Sequence, residues 1–356
     1  MLLIFSALLF GAQASVVLKS GDNLYRTCAE VSKTGHGLIY LAVSYRAGET
    51  PRGCETEPKV ILKCATAGHG TMIANEFTML NRLSSASWSP SVYGFIEKGD
   101  VLVPCVAMES LGWSLEKIRN GYAVGTKWSW GTLGTIGART IEIMKALHLE
   151  RRIIHTDSHP GNWLLERTLD GSLSRKLKLI DFGDAHDISD PSKRLEDVQQ
   201  QIAALRYYFD GDYKFFVYKR MPSIEVTLAG MPETFAEAFR YVKNLRNAGE
   251  IDYDKIHGLM VRLAAEHGVT YKGEIDWHPV QSTVGLPRAS IMQKKGPKPL
   301  GGQPINGFGQ GITQQSSAAT SEQSAAENAP AGKSNGAVLT SSIGLAVLFA
   351  LFMSLV

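Results

Sequence analysis

The stretch His155–Leu165 reads His-Thr-Asp-Ser-His-Pro-Gly-Asn-Trp-Leu-Leu and decides the fold of this chain. Asp157 is followed five residues later by Asn162 and then by an apolar run. Carboxylate and amide oxygens at this spacing are typical of magnesium-dependent phosphate chemistry. The same residues can also form a polar turn between a helix and a strand. The rest of the chain decides between these two interpretations.

Apolar patterns on either side of this stretch predict two regions of different character. Strand-like patterns occur at residues 24–31, 38–45, 59–65, 91–99 and 101–109. A helical pattern covers residues 72–83. From about Leu115 the pattern is mainly helical, with interruptions at 162–166 and 177–183. Asp170-Gly171, between those interruptions, predicts a hairpin turn.

These patterns predict an α+β fold in which a small strand-rich lobe precedes a larger helical lobe. We assign residues 15–285 to one globular domain, with an N-lobe at 15–108 and a C-lobe at 113–285. Residues 286–335 are rich in Gly, Pro, Gln, Ser and Ala and predict a disordered stalk, because such a composition cannot bury a core.

Five positions supply the residue types that phosphoryl transfer from ATP needs. Lys63 on a strand can hold the phosphates, and Glu76 on the following helix can hold that lysine. Asp157 can orient an acceptor hydroxyl, while Asn162 and Asp181 offer oxygen ligands to Mg²⁺ or Mn²⁺. Each residue alone has an ordinary structural explanation, such as a solvated surface position. Their order and spacing together predict a bilobal, protein-kinase-like fold with ATP and a divalent metal as cofactors.

Longer stretches around these positions resemble the casein kinase I group, with the vaccinia-related kinases as close relatives. Residues 25–42 run without a gap against the first two strands of that group, and residues 106–118 are similar to its hinge. Its terminal helices are resembled by residues 224–245, 251–260 and 271–277. The resemblance extends from Tyr25 to Trp277 and implies a divergent Ser/Thr protein kinase.

The resemblance assigns further residues to the nucleotide. Met108 is then the gatekeeper, and Glu109 and Leu111 offer backbone groups to adenine. Gly37 aligns with a glycine of the loop that covers the phosphates. Gly35 lies out of register with the family glycines, but a glycine there lets backbone N–H groups approach phosphate.

Several positions depart from the group's pattern. Ser32 and Thr34 stand where the group has its first two loop glycines. Thr156 stands where the group has the arginine that clamps a phosphorylated activation loop. His159 replaces a lysine, and the run His-Pro-Gly-Asn that it begins is similar to small-molecule phosphotransferases such as choline and aminoglycoside kinases.

The largest departure follows Asp-Phe-Gly. Only residues 184–196 separate Gly183 from Asp197, which matches the aspartate of the group's long buried helix. The group places its activation loop and its peptide-docking segment there, and both need a longer chain. An exon junction placed wrongly would produce the same shortening. We therefore expect an active phosphotransferase acting on a protein or a small-molecule acceptor, with a membrane-tethered pseudokinase as the alternative.

The two ends of the chain predict a secreted, anchored protein. Residues 1–14 form an apolar run that closes on Ala12-Gln13-Ala14, which is typical of a signal peptide, although a basic start is missing and a core segment is the alternative. Residues 336–356 follow small residues and end in an apolar tail, which predicts a GPI-anchor signal or a membrane helix. We expect a location in the secretory pathway or at the cell surface.

Charge and cysteine content add two constraints. A net charge of +3 without a basic run gives no reason to expect a nucleic-acid partner. The four cysteines, Cys28, Cys54, Cys64 and Cys105, permit two disulfides in three possible pairings, or four buried thiols.

Overall fold

The computed structural model describes residues 16–33, 37–51, 53–55, 59–97, 104–122, 127–168, 173–212 and 222–277. All of them belong to the first of two units, residues 1–303, and the second unit, residues 304–356, lies outside the described residues. The predicted turn at Asp170-Gly171, the signal peptide, the stalk and the C-terminal tail also lie outside them.

An antiparallel sheet of six strands forms the N-terminal lobe. The strands are β1 (Val17–Ser20), β2 (Asn23–Lys33), β3 (Gly37–Arg46), β4 (Lys59–Ala65), β5 (Val92–Ile96) and β6 (Cys105–Glu109). They lie in the order β1-β2-β3-β4-β6-β5. The five predicted strand stretches correspond to β2–β6 over their described residues, and residues 98–103 lie outside the described ranges. Strand β1 was not predicted. Gly37 opens β3 where a Cβ atom would lie 2.8 Å from the carbonyl oxygen of Cys64, so only glycine fits without a shift.

Helix α1 (Gly70–Arg82) packs against β4 and β6. It buries Ile73, Met79 and Leu80 on the face that the helical period predicts. Glu76 lies on the same buried face. The helix therefore carries a carboxylate into the interface between itself and the sheet.

Two disulfides cross-link the N-terminal lobe. Cys28 of β2 is bonded to Cys54, and Cys64 of β4 is bonded to Cys105 of β6. Cys64 and Cys105 are direct cross-strand neighbours. Of the alternatives left open by the sequence, this pairing is the one that the structure contains.

Helices make up most of the C-terminal lobe. They are α2 (Leu115–Tyr122), α3 (Trp130–Lys145), α4 (Ser192–Asp210), α5 (Ile224–Leu228), α6 (Glu233–Asn244) and α7 (Tyr253–Glu266). Helix α3 packs against α4 and α7, and a Cβ atom at Gly134 would lie 2.5 Å from Ala264 N. Among the described residues, every helix is too short or too polar to cross a membrane.

Four short strands surround the stretch His155–Leu165. Strand β7 (Ile153–Ile154) precedes it and pairs with β10 (His186–Asp187), while β8 (Trp163–Leu165) ends it and pairs with β9 (Leu177–Leu179). The residues between β7 and β8 therefore form a loop whose two ends are held by strand pairing.

The resemblance of residues 271–277 to a terminal helix is wrong as a prediction of structure, because this segment is not helical. Gly273 has a left-handed φ of 79°, which ends any helical path. The Ile275 N–H donates to the Arg175 carbonyl at 2.9 Å, and the Trp277 Nε1 donates to the Ser174 carbonyl at 2.8 Å. The segment bonds to the chain before β9 instead of to itself.

Candidate active site

Lys63 lies between two carboxylates that come from different elements. Its Nζ is 2.7 Å from Glu76 Oε2 on α1 and 2.6 Å from Asp181 Oδ1, just after β9. The Lys63 side chain is 11% exposed and that of Glu76 is 1% exposed, whereas Asp181 is 41% exposed. We call Lys63, Glu76 and Asp181 the charged triad. Its open side is the Asp181 carboxylate.

The charges of the triad support one another. Burial opposes the ammonium of Lys63, but Glu76 and Asp181 outweigh burial and raise its pKa above the usual value. Burial also opposes the Asp181 carboxylate, and Lys63 outweighs it and lowers the pKa of Asp181. Complete burial raises the pKa of Glu76, and the adjacent Lys63 ammonium is the main group that opposes this rise. Lys63 therefore stays protonated within the triad, and an ammonium group can bind an anionic ligand.

The antiparallel pairing of β8 with β9 places Asn162 next to the residue before Asp181. The Ile180 N–H, one residue before Asp181, donates to the Asn162 carbonyl at 2.9 Å. The Asn162 Nδ2 donates to the backbone oxygen of Asp157 at 2.8 Å and to its Oδ2 at 3.3 Å. Because the NH₂ group faces Asp157, the amide oxygen of Asn162 is the group that it can offer to a metal.

The His155 ring links the loop to the triad. Its Nδ1 accepts from the Asp157 N–H at 3.3 Å, so the proton must be on Nε2, which donates to the Ile180 carbonyl at 2.9 Å. Burial lowers the pKa of His155 and keeps the ring neutral, in spite of the nearby carboxylates. His155 therefore fixes the distance between Asp157 and the residue before Asp181.

Asp197 of α4 lies beneath the same loop and is fully buried. Its Oδ2 accepts from the His155 N–H at 3.0 Å and its Oδ1 accepts from the Thr156 N–H at 3.1 Å. His148 Nε2 lies 3.1 Å from the same Oδ2. One carboxylate thus satisfies two backbone donors of the loop and one ring.

Thr156 and Asp181 both have positive φ, of 69° and 67°. This region of the backbone costs about 1–3 kcal/mol for a non-glycine residue, and a β-branched threonine is seldom found there. The bonds from Asp197 to Thr156 and from Lys63 to Asp181 compensate for this strain. Strained backbone held in this way is typical of functional sites.

No family model matches the chain. Casein kinase I homolog 1 of Schizosaccharomyces pombe is 20% identical over 258 residues, which cover 60% of this chain and 56% of that protein. The chain thus spans little more than half the length of this relative. The crystal structure of the BubR1 kinase domain matches with a TM-score of 0.51 at 15% identity, and the match covers 71% of this chain and 83% of that one.

The fold is that of a protein kinase. The sequence similarity and the structural match together support a place in the protein kinase superfamily. The prediction of a bilobal, kinase-like α+β fold is confirmed. The kinase-like arrangement brings Lys63, Glu76 and Asp181 together from residues far apart in sequence.

The residues assigned to the nucleotide base lie at the end of β6 and just after it. Met108 on β6 is 6% exposed and Leu111 lies between β6 and α2. The Glu109 N–H donates to the Ser91 carbonyl at 2.9 Å, so this N–H already has a partner within the sheet lobe. Gly37 lies at the start of β3, and Gly35 lies outside the described residues.

Three residues of this region were not singled out from the sequence. Asn75 contacts the backbone after Asp181, Lys178 on β9 binds Glu109 at 2.7 Å, and His148 supports Asp197. The sequence contains one signal for Lys178, because a charged residue between two leucines of a short strand is unusual in a core. The sequence contains no such signal for Asn75 or His148, since their partners are distant in sequence.

The donor set at this site fits Mg²⁺ bound together with phosphate. Within the described ranges, no group of three or more His, Cys, Asp or Glu side chains is placed to hold a metal alone. Asp181 and Asn162 supply one carboxylate and one amide. Mg²⁺ in phosphate-transfer enzymes is held by one or two carboxylates and completes its shell with phosphate and water oxygens. The site is therefore suited to a metal that arrives with a nucleotide.

Proposed function

We propose that this protein is an ATP- and Mg²⁺-dependent phosphotransferase. The observation that carries the proposal is the charged triad, with Lys63 at 2.7 Å from Glu76 and 2.6 Å from Asp181. Removing the charges of Lys63 and Glu76 from water costs stability, and apolar residues in the same space would avoid that cost. A triad open to solvent at Asp181, beside the loop that presents Asp157 and Asn162, supports a role toward phosphate.

Each residue has a chemical role in this proposal. Lys63 binds phosphate oxygens, and Glu76 holds the ammonium in place. Asp181 and Asn162 hold Mg²⁺, which supplies charge neutralisation to the transferring phosphoryl group when bound. The Asp157 carboxylate, whose side chain is 53% exposed, accepts the proton of the acceptor hydroxyl.

The adenine ring is proposed to lie against the end of β6. Met108 is the gatekeeper beside it, and the backbone of Glu109 and Leu111 binds its edge. Gly35 and Gly37 cover the phosphates. This assignment is supported by the kinase fold and by the position of β6 next to β4, which carries Lys63.

The acceptor is proposed to be a hydroxyl group. The similarity to a casein kinase I homolog supports a Ser/Thr side chain of a protein. One observation favours a small molecule instead. After Asp-Phe-Gly the chain forms β10 (His186–Asp187) and enters α4 at Ser192, so the segment for docking a peptide is proposed to be truncated.

The location proposed for the protein is the secretory pathway or the cell surface. Disulfides Cys28–Cys54 and Cys64–Cys105 support an oxidising compartment. The signal peptide at 1–14, the domain at 15–285, the stalk at 286–335 and the anchor at 336–356 remain part of this proposal.

The first prediction tests the chemistry. Asp157→Ala in the full chain should lower Mg²⁺-dependent ATP turnover about a hundredfold or more, because a general base contributes about 10²–10⁴ to a rate. Turnover of ATP is measured by release of ADP, with Asp254→Ala as control. Asp254 on α7 is an exposed carboxylate that binds Lys145 on α3.

Equal turnover in Asp157→Ala and wild type would contradict the proposed base. If no variant turns over ATP and Mg·ATP nevertheless raises the melting temperature, the protein is a pseudokinase binding module. If Mg·ATP neither reacts nor stabilises the protein, the nucleotide site itself is disproved.

A further inference from the structure

Asn75 of α1 holds the backbone that follows Asp-Phe-Gly. Its Nδ2 donates to the carbonyl oxygens of Gly183 at 2.9 Å and Ala185 at 2.8 Å. Both partners are acceptors, so only the two N–H groups of the amide can satisfy them. An aspartate of the same shape at this position would place an acceptor against two acceptors.

Asn75 directly precedes Glu76 on the helix, and the two side chains leave it about 100° apart. Glu76 binds Lys63 on the sheet at 2.7 Å, while Asn75 binds residues on either side of Asp184. One turn of α1 therefore fixes both the lysine and the segment next to Asp181. A shift of the helix would loosen both at once.

Other contacts along the same stripe of α1 join this segment. Met72 lies one turn before Asn75, with its Cε 3.8 Å from the point where a Cβ atom at Gly183 would lie. Arg82, two turns after Asn75, binds Asp187 at 2.7 Å. The Arg82 pair is exposed, with side-chain exposures of 38% and 70%, so solvent screens it. Asn75 makes the less screened contact.

The held segment leads on to the loop of Asp157. Strand β10 pairs His186 with Ile154 and Asp187 with Ile153, just before that loop. The Thr156 Oγ1 also lies 3.3 Å from the Asp184 carbonyl. Contacts from α1 thus continue through residues 183–187 to the residue that precedes Asp157.

We propose that Asn75 is a positioning residue whose amide couples α1 to residues 183–187, and that this coupling keeps the metal-binding Asp181 in register with Lys63 and Glu76. The proposal rests on the proposed nucleotide function for its consequence, but the coupling itself is a property of the fold.

The second prediction tests this coupling in the full-length protein. Asn75→Asp should speed hydrogen–deuterium exchange of the amides at residues 183–188 about tenfold or more, since two hydrogen bonds are lost and two carbonyls lose their donors. It should also weaken Mg·ADP affinity, measured by calorimetry, by about tenfold. Asn75→Ala should act in the same direction and serves if Asn75→Asp folds poorly.

Asn81→Asp is the matched control, because it makes the same chemical change on an exposed position of the same helix. Exchange and affinity in Asn81→Asp should equal those of wild type, and exchange in α7 should not change in any variant. Unchanged exchange in both Asn75 variants overturns the proposal. Faster exchange without any loss of Mg·ADP affinity overturns the positioning role.

The outcome separates this proposal from the proposed function. If wild type binds no Mg·ADP, the nucleotide function fails, and exchange at 183–188 still decides whether Asn75 couples the two elements. If wild type binds Mg·ADP and Asn75→Asp binds it equally well, the positioning role fails and the function stands.

Discussion

Asp181 combines three features that seldom occur in one residue. It has a φ of 67°, it binds the buried Lys63, and it is the exposed member of the charged triad. A residue that only stabilised the fold would not need a strained backbone beside an opening. The combination argues that the carboxylate is held for a ligand.

The third prediction concerns this carboxylate. Asp181→Asn should reduce Mg²⁺-dependent nucleotide affinity about a hundredfold or more, because the change removes the only charged ligand of the proposed metal site. Nucleotide affinity is measured by calorimetry with and without Mg²⁺. Asp184→Asn, an exposed neighbour, provides the control. The same Mg²⁺-dependence in Asp181→Asn and wild type would refute the metal role.

At the scale of elements, the sequence predicted what local periodicity can encode. Strand β4 and helix α1 have clear patterns, so Lys63 and Glu76 were placed correctly on them. The segment 271–277 was expected to be helical from its resemblance to a terminal helix of the casein kinase I group and not from periodicity. Gly273 and hydrogen bonds to the chain before β9 give it another path.

The packing of α3 against α7 includes a polar cluster around Glu142. Its carboxylate accepts from His257 Nε2 at 3.0 Å, Tyr271 Oη at 2.7 Å and Arg139 at 2.9 Å. Partial burial would raise the pKa of Glu142, but these hydrogen bonds outweigh burial and lower it to about 2 from 4.5. The carboxylate of Glu142 therefore has three hydrogen-bond donors around it.

The fourth prediction follows from that lowered pKa. The ionised Glu142 carboxylate stabilises the fold fully above pH 4.5, the ordinary pKa that this carboxyl has in the unfolded chain. This stabilisation is lost as pH falls through about 2. Glu142→Gln should therefore lose less free energy of unfolding than wild type between pH 5 and pH 2. Denaturant unfolding at several pH values measures this, and exposed Glu150→Gln should keep the slope of wild type.

At the scale of the molecule, contacts between the lobes were beyond the reach of the sequence. Glu109 is the last residue of β6, and Lys178 lies on β9 of the helical lobe. The Lys178 Nζ lies 2.7 Å from Glu109 Oε2, and the side chains of Glu109 and Lys178 are 18% and 9% exposed. Asn75 likewise meets a backbone more than a hundred residues away. The motif identified the chemical groups, but their mutual supports depend on how the lobes meet.

The fifth prediction tests this contact between the lobes. Lys178→Gln should lower the free energy of unfolding by about 3 kcal/mol, because it leaves the Glu109 carboxylate with little solvent and no cation. The double variant Glu109→Gln, Lys178→Gln should recover part of the loss, and a double-mutant cycle measures the coupling. Additive losses from the two single variants would show that the pair contributes nothing.

The position of Asp197 in the sequence matters for shortened forms of the protein. It lies after every residue proposed for phosphate chemistry, yet its carboxylate shapes the loop that carries Asp157. A shortened transcript that stops after Asp-Phe-Gly would encode Lys63, Glu76, Asp157, Asn162 and Asp181 in full. Its product would lack the group that folds their loop, so a complete motif in such an isoform is no evidence of an active one.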